Sequence, residues 1–181
     1  VDVLVSTSSE AVATELADLS TQITEQLEAY ESAKSEVTSA NMTLVEAVKK
    51  KAEDWNIETL SDKCETVAEN NSSTVLAVSA EDNVWWLLTA DAGEPALNGA
   101  LDYLDSRNFS VSNFKFVQVP HHGSEHNVGP TLLNRMLGPK LPNEQRTRTA
   151  YVSVAKEAPK HPNKKVTNAF RRRGAPVYRT N

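Results

Sequence analysis

Two short stretches carry most of the reactive side chains in this chain. Phe116-Val117-Gln118-Val119 is a largely apolar run that stops at Pro120-His121-His122-Gly123-Ser124. Val84-Trp85-Trp86-Leu87-Leu88 is another, and it stops at Thr89-Ala90-Asp91-Ala92-Gly93. Each reads as a strand that delivers polar groups to the rim of a sheet. Imidazole nitrogens are common ligands for zinc and related metals. Aspartate is a hard oxygen donor that can bridge two divalent ions, and such a pair activates water against a phosphoryl or acyl centre. Asp91, His121 and His122 together predict a metal site at one edge of a sheet. Neighbours in an extended chain point to opposite sides. A turn after the strand end would let both face the site; one histidine is expected to bind metal, the other to orient a ligand or contact substrate. A competing role for Asp91 is to cap the helix that Glu94-Pro95 opens.

The remaining polar motifs allow two readings each. Ser124 could hydrogen-bond a ligand or cap the next turn, and His126 reads as solvated. His161-Pro162 lies in a loop with Lys156, Lys160, Lys164 and Lys165. Neighbouring cations disfavour a further positive charge, so His161 is a poor metal ligand. It suits a phosphate contact or a proton donor to a leaving group, with Lys160 and Lys164 helping to hold the substrate. Arg171-Arg172-Arg173 closes a helix, where cations complement the dipole. The same run could grip a polyanion through arginine–phosphate pairing. Lys49–Lys51 reads as a solvated face.

Charge is unevenly spread. The net balance is −5, yet residues 1–110 hold 6 basic and 21 acidic side chains, whereas residues 111–181 hold 13 and 3. A basic face beside the predicted metal site would draw an anionic substrate such as a phosphodiester. Alternatively, the two halves neutralise each other across a contact. No apolar run approaches the roughly 18 residues that a membrane span needs, so no membrane partner is expected. The single Cys64 excludes an internal disulfide and a cysteine-rich zinc cage, and it fits a reducing, cytoplasmic compartment. With Val1 in place of an initiator Met, the chain reads as a fragment.

The elements that must position these groups are set by periodicity. Residues 1–5 read as a strand, and Thr7-Ser8-Ser9-Glu10 has the form of a capping box. Val12, Leu16, Leu19, Ile23, Leu27 and Tyr30 then trace one helical stripe. Leu44, Val45, Val48, Ala52 and Trp55 trace a second. Together these predict a helical hairpin over residues 9–55. Its stripe serves as an intramolecular packing face or docks a partner, and it covers too few heptads to require a coiled coil. Beyond residue 70 the expected order is strand 73–79, strand 84–89, helix 95–106, strand 114–119, helix 130–137, strand 150–154, helix 166–173 and strand 176–179. That is an α/β layered fold.

Taken in order, Asn70-Asn71-Ser72-Ser73-Thr74-Val75, Thr89-Ala90-Asp91, His121-His122-Gly123-Ser124, His161-Pro162 and Val177-Tyr178-Arg179-Thr180 resemble the C-terminal half of the metallo-β-lactamase-fold hydrolases. The subgroup they resemble is the hydrolase domain of the ComEC-type DNA-uptake proteins, over about residues 68–181. The resemblance implies the C-terminal half of a four-layered αββα fold with a two-metal site, zinc or else manganese. Asp91 would match the bridging aspartate and His121 or His122 a later ligand, with Asn70 and Ser73 close by. Residues 1–67 would be the midsection of the fold with an inserted hairpin. Ala90 stands where the family prefers glycine. The family's H-x-H-x-D-H motif is absent, since all four histidines lie beyond residue 120. The resemblance thus implies a metal-dependent hydrolase, a phosphodiesterase or nuclease, that needs an N-terminal half from the same protein or a separate chain. The alternative is a non-catalytic, partner-binding module on a degenerate hydrolase fold.

Overall fold

The computed structural model describes residues 2–158 and 160–180. The chain divides into two compact units, Val1–Lys50 and Lys51–Asn181.

The described residues of the first unit lie within a single helix, α1, Asp2–Glu53. This corrects the expected strand and hairpin. Val1 lies outside the described residues, but residues 2–5 are helical and no turn interrupts residues 30–44. The Thr7–Glu10 motif sits inside the helix, not at its start. The run is rich in serine and threonine, which ordinarily compete with helix by bonding local backbone. Here the hydroxyls of Thr21, Thr24, Thr38 and Thr43 donate to the carbonyls of Ala17, Ser20, Lys34 and Ser39, four residues back. The helix continues through them.

The second unit is mixed α/β, and every element expected beyond residue 70 is present within a few residues. The short helix α2 (Ala68–Asn71) precedes strands β1 (Leu76–Glu81) and β2 (Val84–Leu88). Next come α3 (Glu94–Ser106), β3 (Phe114–Gln118), α4 (Pro130–Leu137), β4 (Thr149–Val152), α5 (Lys164–Arg172) and β5 (Val177–Arg179). The five strands form one sheet in chain order. β1 and β2 are an antiparallel hairpin, turned at Asp82-Asn83 with Asn83 in the left-handed region at φ 59°. β2 to β5 are parallel. Each parallel step is bridged by a helix, and crossovers of one hand in one direction put all three helices on one face.

That face is the core. Leu97 and Leu101 of α3, Leu132, Leu133 and Met136 of α4, and Val166, Ala169 and Phe170 of α5 form one buried cluster with Leu87, Phe114, Val117, Ala150 and Val152. Each large apolar side chain among them contributes about 1.5–3 kcal/mol by leaving water. The opposite face carries an aromatic row. Trp86–Phe116, Phe116–Tyr151 and Tyr151–Tyr178 have ring centroids 5.9, 5.7 and 5.5 Å apart. Trp86, Tyr151 and Tyr178 remain exposed. The unit is thus a two-layer α/β arrangement, helices on one sheet face and exposed aromatic side chains on the other.

The basic excess of residues 111–181 is partly neutralised inside this unit. Arg173 is buried, with 1% of its side chain exposed, and grips Glu58 bidentately at 2.6 and 3.0 Å. It also donates to Asn134 Oδ1 and to the carbonyls of Ala169 and Pro130. Arg172 donates to the carbonyls of Asp54 and Trp55. Arg171 pairs with Glu144, and Arg135 with Asp102 and Asp105. The arginine triplet therefore fastens residues 54–58 to the core, and its two buried members are withdrawn from any polyanion. Among the described residues, no helix is long and apolar enough to cross a membrane.

Candidate metal centre

Because β2, β3 and β4 are parallel, their C-terminal ends share one edge, where open α/β sheets place their ligands. Asp91 comes after β2, His121 and His122 after β3, and Ser153 and the His161 loop after β4. Gln118, the last residue of β3, locks the end of β2. Its side-chain oxygen accepts from the N–H groups of Thr89 and Ala90, both at 3.0 Å, and its carbonyl accepts from the buried Thr89 hydroxyl.

Asp91 is not a helix cap. Gly93 occupies that position on α3, with no side-chain capping bond. The Asp91 side chain is 49% exposed, and its Oδ1 lies 3.9 Å from His122 Nε2.

The two histidines occupy a tight 3-10 turn, His121–Gly123, with three consecutive left-handed residues at φ 42°, 55° and 80°. Extended-strand alternation does not apply to such a turn, and the two rings stand with centroids 5.7 Å apart, edge to face. Both have the same internal logic. His122 Nδ1 donates to the Ser153 carbonyl at 2.6 Å. The buried Asn127 donates its Nδ2 to the carbonyls of Asp91 and Ala92, which turns its Oδ1 toward His121 Nδ1 at 3.0 Å. His121 Nδ1 therefore carries a proton. Asn70 Nδ2 also stands 2.8 Å from that nitrogen; two donors cannot share a hydrogen bond, so with the proton in place the Asn70 amide is assigned turned over, its oxygen toward the histidine. Each imidazole thus keeps its Nε2 lone pair free, the arrangement by which protein carbonyls fix ligating histidines.

Holding this turn costs backbone strain, about 1 kcal/mol or more for each non-glycine residue in the left-handed region. Ala90 shares it at φ 46°, and its carbonyl accepts from the His121 N–H at 3.0 Å. The strain explains why a glycine suits this position. Ala90→Gly should raise stability by about 0.5–1 kcal/mol, read as a higher urea midpoint with an unchanged slope.

The His161 loop packs onto the same turn. The Asn163 N–H donates to the Gly123 carbonyl at 3.0 Å. A Cβ on Gly123 would stand 2.7 Å from Pro162 Cβ. Asn163 Nδ2 and Lys165 Nζ both bond Glu125, anchoring the loop from the far side. The His161–Pro162 peptide is cis. His161 Nδ1 is buried without a hydrogen-bond partner. Burial first, then the nearby His121, His122 and Lys160, push its pKa below the ordinary 6.5, with the Gly123 backbone opposing. His161 is therefore neutral at neutral pH, ready to accept a proton rather than to donate one. Ring-proton NMR should show a midpoint below 6.5. The unfolded chain takes up this proton near the ordinary value and the folded chain resists it, so this group removes stability as pH falls below that value.

Of the other expected site residues, Asn70 meets His121. Ser73 lies just beyond α2, its N–H bonded to the Asn70 carbonyl. Ser124 is buried, and its hydroxyl accepts from the His126 N–H, which commits it to the turn. Lys160 and Lys164 are exposed, in the loop and at the start of α5. Sequence reasoning misses Asn127 and Gln118. The signal for Asn127 is its place six residues after His121, in a loop with no other need for a buried amide. Cys64 is not a soft ligand here, since burial and a bond to Glu94 push its thiol up to about 12. Among the described residues, no group of three or more His, Cys, Asp and Glu side chains is gathered to hold a metal ion.

No family model, no curated protein and no solved structure matches this chain.

Proposed function

We propose that residues 51–181 supply the C-terminal half of the active site of a metal-dependent hydrolase, with a phosphodiester as substrate. The observation that carries this reading is the pairing of Asp91 Oδ1 with His122 Nε2 at 3.9 Å, with both histidine Nδ1 atoms engaged by carbonyl oxygens. Two donors on one tetrahedral zinc stand about 3.3 Å apart, so modest side-chain rotation brings this pair onto a shared ion. The donor set, one carboxylate and two imidazoles, fits zinc, or manganese with more oxygen ligands. Asp91, His121 and His122 would hold it, and the resemblance implies a second ion bridged by Asp91. A divalent ion here would supply Lewis acidity and make water a competent nucleophile at neutral pH.

The chain's own residues account for the rest. Asn127 and Ser153 orient the imidazoles. Neutral His161 accepts a proton or a hydrogen bond beside the turn, and an arriving phosphate raises its affinity for a proton. Lys160 and Lys164 offer cations to that phosphate. The open aromatic face of the sheet supports a covering layer from an N-terminal half, which would bring the remaining ligands.

The test is hydrolysis of bis(p-nitrophenyl) phosphate by the natural full-length protein, with zinc or manganese and after chelation. Metal-dependent turnover that Asp91→Ala removes is expected, and full turnover in that variant refutes the role of Asp91. A second reading, a partner-binding module on a degenerate hydrolase fold, draws on the incomplete donor cluster. Metal analysis of the same full-length protein separates the two, because only the hydrolase retains stoichiometric metal.

A further inference from the structure

Most apolar residues of α1 between positions 12 and 47 follow a seven-residue repeat. Leu16, Ile23, Tyr30, Val37 and Leu44 fall at intervals of seven, and Val12, Leu19, Gln26, Ala33, Ala40 and Ala47 form the interleaved row, offset by three. Alternating steps of four and three hold over residues 12–47, about 54 Å of helix. This is the pattern of a left-handed coiled-coil seam, whereas a helix packed on a globular core has a period of 3.6. The large members of both rows are 54–67% exposed, so the seam is uncovered. Off the seam, among the described residues of α1, only Met42 and Val45 add large exposed apolar groups, and Leu27 and Val48 flank it.

We infer that α1 pairs with α1 of a second copy, antiparallel and in register. The interleaved row turns small at Ala33, Ala40 and Ala47 while the first row stays large, and this, with the flanking charges, sets the direction. In a parallel pair each residue meets itself, so Tyr30 stacks on Tyr30 while Ala33, Ala40 and Ala47 face their own kind across voids, and interiors do not tolerate such voids. In an antiparallel pair the two rows face each other, so the alanines of one copy meet large residues of the other. The layers then join Leu16 with Ala47, Ile23 with Ala40, Tyr30 with Ala33, Val37 with Gln26 and Leu44 with Leu19, one residue from each copy, so three of the five set a large side chain against an alanine. The same register brings the flanking Glu15 of one copy beside Lys50 of the other, twice by symmetry, and sets no like charges opposite each other. A standard specific interface buries roughly 800 Å² per copy, and a seam about 54 Å long offers a surface of that order.

The experiment uses the full 181-residue chain in sedimentation equilibrium. A dimer is expected at roughly 100 µM, well above a dissociation constant suited to such an interface. Ile23→Asp should make the chain monomeric while circular dichroism keeps the helix content of the globular unit. Lys50→Glu should weaken the dimer about tenfold by setting two like-charge pairs across the seam. The double change Glu15→Lys with Lys50→Glu should restore it. A parallel dimer separates positions 15 and 50 by about 50 Å, so rescue by the swap is specific to the antiparallel pairing. A monomeric native chain overturns the inference, and so does a dimer indifferent to Ile23→Asp or to the charge exchange. Pairing of α1 only with a different protein overturns it equally.

Discussion

Replacing Arg173 with alanine is expected to cost the globular unit about 3–5 kcal/mol, the range for breaking a buried ion pair from one side. The guanidinium is almost fully enclosed and makes bonds to Glu58, Asn134, Ala169 and Pro130. Its removal strips this donor from a carboxylate and an amide oxygen, takes one bond from each of two helix carbonyls, and opens a cavity beside α4 and α5. A typical domain has only about 5–15 kcal/mol to lose, so the urea midpoint should fall by roughly a fifth or more. The neighbouring Arg171→Ala removes a half-exposed pair with Glu144 and should cost under about 1 kcal/mol. Equal losses at the two positions would contradict the assignment of a buried anchor to Arg173 alone.

Asp91→Ala is expected to lower metal-dependent phosphodiester hydrolysis by at least about 100-fold, since a ligand should matter no less than the groups that orient ligands. Stability should barely change. The side chain is half exposed and caps no helix, and the residue's structural bond is made by its backbone carbonyl to Asn127. The pairing of a large kinetic loss with an unchanged unfolding midpoint is the signature sought. His126→Ala serves as the control. That ring is exposed and only its backbone N–H, kept in alanine, supports the turn, so both activity and midpoint should stay near native. Activity surviving in Asp91→Ala, with the midpoint intact, would remove the carboxylate from the chemistry.

The globular unit is legible in the sequence because its local signals agree with its tertiary structure. Val84–Leu88 and Phe114–Gln118 are apolar runs of strand length, Pro95 and Pro130 open helices, and Gly138 and Gly174 close them. The candidate edge is legible for the same reason, since parallel strands carry their C-terminal loops to one side. The N-terminal region misleads because local cues compete there with the long period. Thr7–Glu10 imitates a helix start, and the polar stretch around Ser35–Asn41 imitates a turn. The heptad step from Tyr30 through Val37 to Leu44 is the overriding signal of an unbroken helix. Asn127 and Gln118 are invisible because their value lies in carbonyls and amides about 30 residues away in sequence. The fate of the arginine triplet is hidden likewise, since its partners at residues 54–58 lie more than 100 positions upstream.

If Asp91 and the histidine turn address one cation, a manganese titration of the chain monitored by NMR will reveal it most directly. Substoichiometric Mn²⁺ should broaden the ring protons of His121 and His122 and the amides of residues 90–92 before any others. Asp91→Ala should abolish that selectivity. Uniform broadening across the acidic surface, or selective broadening that persists without the Asp91 carboxylate, would show that no shared metal centre exists at this edge.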